Sequence, residues 1–223
     1  MTAWTGVSPA MQVEIWSDVV CPWCYLGKRR FERALETFDH RDEVDVVYRS
    51  FELDPTAPAE ATTPVVEVLA SKYGMTRQQA EDMERQMEQR AAQDGLTFRM
   101  EGILRGNTRD AHRLLHLARA RGKQAEMLDR LQRAHFTDQD SIFDRASLVR
   151  LAAEAGLDQD EATKVLDSGE YTDEVIADEE TAQALGATGV PFFVLDRRYG
   201  ISGAQPPEVI SRALEQAWAD AAR

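Results

Sequence analysis

The chain has 223 residues and carries 39 acidic against 26 basic side chains, a formal net charge of −13. A surface of that sign repels phosphate backbones and anionic lipid, so neither nucleic acid nor a membrane surface is expected as a partner, and no run approaches the roughly 18 apolar residues of a spanning helix. With 43% hydrophobic and 29% charged residues the composition is that of a folded domain, and two cysteines are too few for a disulfide scaffold.

Residues 1–11 (MTAWTGVSPAM) lack the basic and apolar regions of an export signal and read as a flexible extension. A cytoplasmic location is therefore expected, where a CxxC pair points to redox or metal chemistry rather than a structural staple. Residues 12–16 (QVEIW) form a strand candidate leading to Cys21-Pro22-Trp23-Cys24. From Trp23 the apolar period lengthens: Tyr25, Leu26, Phe31, Leu35 and Phe38 share a helix face, with Lys28, Arg29, Arg30, Glu32 and Arg33 largely elsewhere. Residues 44–51 (VDVVYRSF) read as a second strand, and a short strand–helix–strand unit implies a parallel pair.

After the breaker-rich stretch from Leu53 to Pro58, Thr63-Pro64 predicts an N-cap and first helical position, and Gly74 the helix stop. Thr76 with Gln79 is a capping-box pattern for a second helix to about Gln93. Asn107 or Thr108 starts a third, carrying Ala111, Leu114, Leu115 and Leu117. Helical periodicity continues over residues 123–135, 144–155, 158–166 and 172–185, with no strong strand candidate. Strand signals return at 191–195 (PFFVL) and 199–201, and Pro206-Pro207-Glu208 opens a last helix. This order predicts one α/β domain from residues 12–57 and 187–223, with an all-helical domain, residues 58–186, inserted between its strands.

Cys21 falls at the strand–helix junction, where orphan N–H groups and the helix dipole favour a thiolate. Pro22 is tolerated there because the N–H it lacks has no helical partner. Cys24, one turn on, is expected to be more buried and to resolve a mixed disulfide formed by Cys21. A structural zinc site needs four ligands where one CxxC supplies two. His112 and His116, four apart on one helix, could add two more, but such a pair is usually ordinary helix surface, so no metal is expected. A redox-inert, thiol-regulated interaction protein remains compatible with the same residues.

CPWC after a first strand, with GVPFFV late in the chain, resembles the DsbA-like thioredoxin-fold oxidoreductases. The segments VEIWSDVVCPWCYLGKRRFE, NTRDAHRLLHLA and TGVPFFVLDRRYGISGAQP look like the FrnE-type dithiol–disulfide oxidoreductases, over nearly the whole chain from about Gln12 to Trp218. The resemblance implies a thioredoxin fold with a large all-helical insertion, acting as a thiol–disulfide oxidoreductase or disulfide isomerase on protein or small-molecule thiols. It also implies a cis-proline at Pro191, with the Val190 backbone offered to substrate and Gly189 easing close approach. Trp23, Tyr25 and Phe192 are the expected cleft lining, with Asn107 and Thr108 either at the cleft or capping a helix.

FrnE-type proteins are related to the 2-hydroxychromene-2-carboxylate isomerases, which typically have serine where this chain has Cys21. A glutathione-dependent isomerase or transferase is thus the alternative activity, and glutathione a candidate co-substrate, with no other cofactor implied. Some FrnE-type proteins carry further cysteines near the C-terminus; this chain has none, so a second internal thiol pair is excluded. Nothing in the sequence fixes an oligomeric state.

Overall fold

The computed structural model of the protein describes residues 11–221. The expected flexible extension lies outside the described residues except for Met11, which is buried at the start of the first strand.

The main sheet has the order β2–β1–β5–β6, from β1 (Met11–Ser17), β2 (Val44–Ser50), β5 (Phe192–Leu195) and β6 (Tyr199–Ser202). β1 and β2 are parallel, joined by α1 (Pro22–Glu36), while β5 and β6 are antiparallel to their neighbours. Strands from both ends of the chain therefore meet at β1. That strand is buried on both faces, as a central strand must be. Val13 and Ile15 join Phe193 and Leu195 beneath α1 and α9 (Pro207–Ala221), with Phe31 packed 5.9 Å from Phe193. On the opposite face Trp16 packs with Val194 and Ala182, its indole N–H donating to the Asp178 carbonyl at 2.7 Å. Glu14, also buried, is held by Arg49 at 2.8 Å and Arg197 at 2.7 Å.

Between β2 and β5 the chain forms α2 (Val65–Tyr73), α3 (Arg77–Gln93), α4 (Arg109–Ala120), α5 (Gln124–Arg133), α6 (Arg145–Glu154), α7 (Gln159–Asp167) and α8 (Thr172–Ala184). Thr76 and Gln79 make the expected capping box, and Gly74 closes α2 at φ 62°. Two expectations need correction. Thr63-Pro64 does not open α2; it forms β3, paired antiparallel with β4 (Leu104–Arg105), and the helix begins at Val65. A two-residue ladder is too short to leave an alternating pattern in sequence. Lys28 is not on a solvated face but only 3% exposed, its ammonium paired with Glu32 and, at 2.6 Å, with Asp129.

The outer edge of β2 would expose unpaired backbone N–H groups. Side chains of the helical segment cover it. Gln124 accepts from the Tyr48 N–H at 3.0 Å, Asp178 from Ser50 at 2.9 Å and Glu179 from Glu52 at 2.8 Å. The Gln124 amide also donates to the Tyr48 carbonyl at 2.8 Å. The two-residue spacing of the recipients is the strand period itself.

His135 sits in a π-helical turn (Ala134–Asp138) that follows α5, and burial pushes its imidazole down to about 4, against a smaller opposing pull from Asp18. An unfolded imidazole takes up a proton near 6.5, so between these pH values the unfolded state binds more protons and folding loses ground. This part of the stability is complete above about pH 6.5 and lost as the pH falls to about 4. It amounts to about 3 kcal/mol. Urea midpoints of the native protein should drop across that window more steeply than those of His135→Phe; parallel curves would contradict the assignment.

Candidate active site

A tight turn delivers the chain from β1 into α1, with the Cys21 N–H donating to the Asp18 carbonyl at 3.2 Å. Cys21 is the N-cap of α1, at φ −89° and ψ 113°, and its Sγ accepts from the Cys24 N–H at 3.3 Å. The sulfur thus takes the place a serine or aspartate oxygen usually fills, satisfying a donor the helix start leaves free. Both cysteines are free thiols and nearly enclosed, Cys21 at 4% and Cys24 at 1% exposure. Burial pushes the Cys24 thiol well above its ordinary range, and its hydrogen bond with Cys21 and the charge there act in the same direction.

Facing the helix start is Val190-Pro191, a cis peptide bond. The Cys21 thiol points at the Val190 carbonyl, 3.9 Å away, and the Pro191 carbonyl accepts from the Gly203 N–H at 2.8 Å. Pro191 is buried against Gly27 of α1. A Cβ on Gly27 would stand 2.8 Å from Pro191 Cγ and 3.5 Å from the Ala204 backbone. The close approach is therefore made at Gly27 and not at Gly189, whose added Cβ would meet nothing within 4 Å.

Two residues near the thiols were missed from sequence. Gly27 left a signal, a glycine inside a strong helical pattern, which costs about 1 kcal/mol unless packing needs it. Asp18 left a weaker one, an acid within an apolar run. Its buried carboxylate meets His112 Nε2 at 3.2 Å and accepts from the Leu53 N–H at 2.8 Å, so it ties the loop after β2 to the turn bearing Cys21.

The expected cleft residues are not gathered in one place. Trp23 is 43% exposed beside the thiols, with the Arg90 guanidinium 5.7 Å from its ring centroid. Pro22 occupies the first position of α1. Tyr25 turns inward and packs on Phe98 and Phe136, with centroids 5.5 and 6.1 Å away, so it is core and not cleft. Phe192 packs against Trp16 at 6.1 Å. Asn107 holds the loop after β2, donating to Glu52 at 3.4 Å and to the Pro55 carbonyl at 3.3 Å, and it caps α4 by accepting from the Arg109 N–H at 3.0 Å. Thr108 is buried at the start of α4, with no side-chain capping bond.

Lys28 spends its charge on Glu32 and Asp129, and Arg29 lies 3.9 Å from Glu32 and from Glu36. His112 and His116 do not converge, because His116 faces Ser50 at 3.1 Å and Asp178 at 3.2 Å. Among the described residues no group of three or more His, Cys, Asp or Glu side chains could hold a metal, and no helix is long and apolar enough to cross a membrane. What the site offers is a dithiol within one helical turn, one sulfur capping the helix and one buried behind it.

The family profile described as the DSBA-like thioredoxin domain matches residues 12–215. The protein YwbO of Bacillus subtilis is 28% identical over 206 residues, spanning 92% of this chain and 96% of its own length. A crystal structure from Streptomyces coelicolor, described as a "probable DsbA oxidoreductase", is 54% identical with a TM-score of 0.90, covering 94% of this chain and 90% of the other. The cytosolic disulfide reductase DsbM of Pseudomonas aeruginosa, solved with GSH, shares the fold at 21% identity and a TM-score of 0.66, covering 92% of this chain and 98% of its own.

Proposed function

This chain belongs to the DsbA-like thioredoxin domain family, and from that premise we propose that it exchanges disulfides through Cys21 and Cys24. The observation that carries the reading is the dithiol on the first turn of α1, with Cys21 at the helix start beside the Val190 carbonyl. A Cys21 thiolate attacks one sulfur of a substrate disulfide; the S–S bond breaks and a substrate thiolate departs. Cys24 then gives up its proton and attacks Cys21 Sγ, which releases the second substrate thiol and leaves a Cys21–Cys24 disulfide. The substrate gains two electrons and the protein dithiol loses two.

An external thiol must reverse that oxidation, and glutathione is the proposed reductant, in keeping with the GSH bound to the fold neighbour DsbM. The Val190 backbone is proposed to pair with an extended segment of substrate, which suits protein disulfides. Residues 58–186 are proposed to act as an inserted unit covering one rim of the site, with no chemistry of their own in the exchange. A cytoplasmic location accords with the reducing direction, in which the protein serves as reductase or isomerase.

Insulin reduction followed by precipitation of its B chain tests the reading. With glutathione, glutathione reductase and NADPH present, the protein should accelerate turbidity well above the thiol alone. An unchanged rate with both glutathione and dithiothreitol would remove dithiol exchange as its activity.

A further inference from the structure

A cleft of about 510 Å³ opens among the loop at residues 59–61, the approach to β4 at residues 102–104, and the segment joining α5 to α6. Neither cysteine nor Val190 lines it. Its size lies within the range of small-molecule sites. Ile103, Leu104 and Phe143 supply apolar wall. Phe143 packs closely over Gly106, where any Cβ would fall 2.6 Å from the ring.

His135 also lines the cleft, from the π-helical turn. Its ring is 3% exposed and lies edge-on to Phe136 at 4.7 Å and to Phe143 at 5.8 Å. No hydrogen bond reaches its nitrogens from the described residues. An imidazole kept neutral by burial has one donor and one acceptor to offer the cleft. A ligand hydroxyl would answer either.

The charged groups around the cleft select against anions. Glu60, Asp140 and Asp144 stand at its edge, Asp140 paired with Arg150 at 2.6 Å and Asp144 capping α6 at the Ser147 N–H. Asp18 adds negative potential at His135 from the direction of the dithiol turn. A neutral imidazole offers a carboxylate no compensating charge.

We propose that this cleft binds an uncharged aromatic small molecule bearing a hydroxyl group, with His135 as the hydroxyl's hydrogen-bonding partner.

Calorimetric titration with 2-naphthol, naphthalene and 2-naphthoate tests this on the intact protein, with the His135 ring nitrogens followed by NMR. 2-Naphthol should bind one to one and shift those nitrogens. Naphthalene should bind about fivefold more weakly for want of the hydrogen bond, and 2-naphthoate at least about tenfold more weakly. His135→Phe should erase the preference for 2-naphthol over naphthalene. Ala59→Trp, at an exposed wall position, should fill the cleft and abolish binding of both while the circular dichroism spectrum is retained. Absence of saturable 2-naphthol binding, binding that survives Ala59→Trp, or 2-naphthoate binding as tightly as 2-naphthol would each overturn the proposal.

Discussion

Cys21→Ser is expected to lower insulin reduction by more than about a hundredfold, because the nucleophilic sulfur is replaced by a hydroxyl that does not ionise near neutral pH. The fold should survive, since serine is a favoured N-cap and its oxygen can accept the Cys24 N–H that Cys21 Sγ accepts now. Cys24→Ser should behave differently. Its first step remains possible, so a mixed disulfide between Cys21 and substrate or glutathione should accumulate and be visible by mass spectrometry. Burial keeps Cys24 protonated, so iodoacetamide should label Cys21 alone in the native protein near neutral pH, and Cys24 only after unfolding. A persistent adduct on Cys24 would reverse the two roles.

Gly27→Ala is expected to destabilise the protein although the same change in an exposed helix interior would stabilise it. Helix propensity favours alanine by about 0.5–1 kcal/mol. Against this, the new Cβ would meet Pro191 Cγ at 2.8 Å, in a ring that cannot swing aside. Overpacking of this kind costs about 1–3 kcal/mol, so the net loss should be about 1 kcal/mol. Relief would come from separating α1 from Pro191, which also changes the spacing between Cys21 and the Val190 carbonyl; disulfide exchange should slow several-fold. Urea unfolding and the insulin assay read the two effects. In Pro191→Ala the obstructing ring is gone, and adding Gly27→Ala to that protein should no longer cost stability. A Gly27→Ala protein as stable as the parent would show that the contact is slack.

Much of the layout was legible because it depends on short-range pattern. The change from strand to helix period at Trp23 marks where α1 begins, and the β-branched run over residues 44–51 gives β2 almost to the residue. Thr76 with Gln79 and Gly74 mark helix ends through local hydrogen bonding and backbone conformation. The dithiol was legible for the same reason, as two cysteines three positions apart must lie one helical turn apart. Chain-end strand signals around a helical middle indicated that the sheet is assembled from distant segments, as the pairing of β1 with β5 shows.

Tertiary structure decided everything that depends on what lies opposite a residue. Periodicity assigns Lys28 to a polar position, and the approach of Asp129 from α5, added to Glu32 one turn along α1, makes its burial tolerable. Tyr25 was expected at the cleft because it follows the cysteines, but the aromatic rings of Phe98 and Phe136 draw it into the core. The two-residue β3–β4 ladder, the burial of Asp18 against His112, and the closing of β2's edge by Gln124, Asp178 and Glu179 each join groups far apart in the chain. Sequence by itself thus determined the order of the helices and of the main-sheet strands and the positions of the thiols, which follow from backbone propensity and apolar period within a few residues. The fold alone decided which buried polar groups find partners and where Gly27 must yield room to Pro191, because desolvation and steric contact are set by neighbours that sequence distance does not reveal.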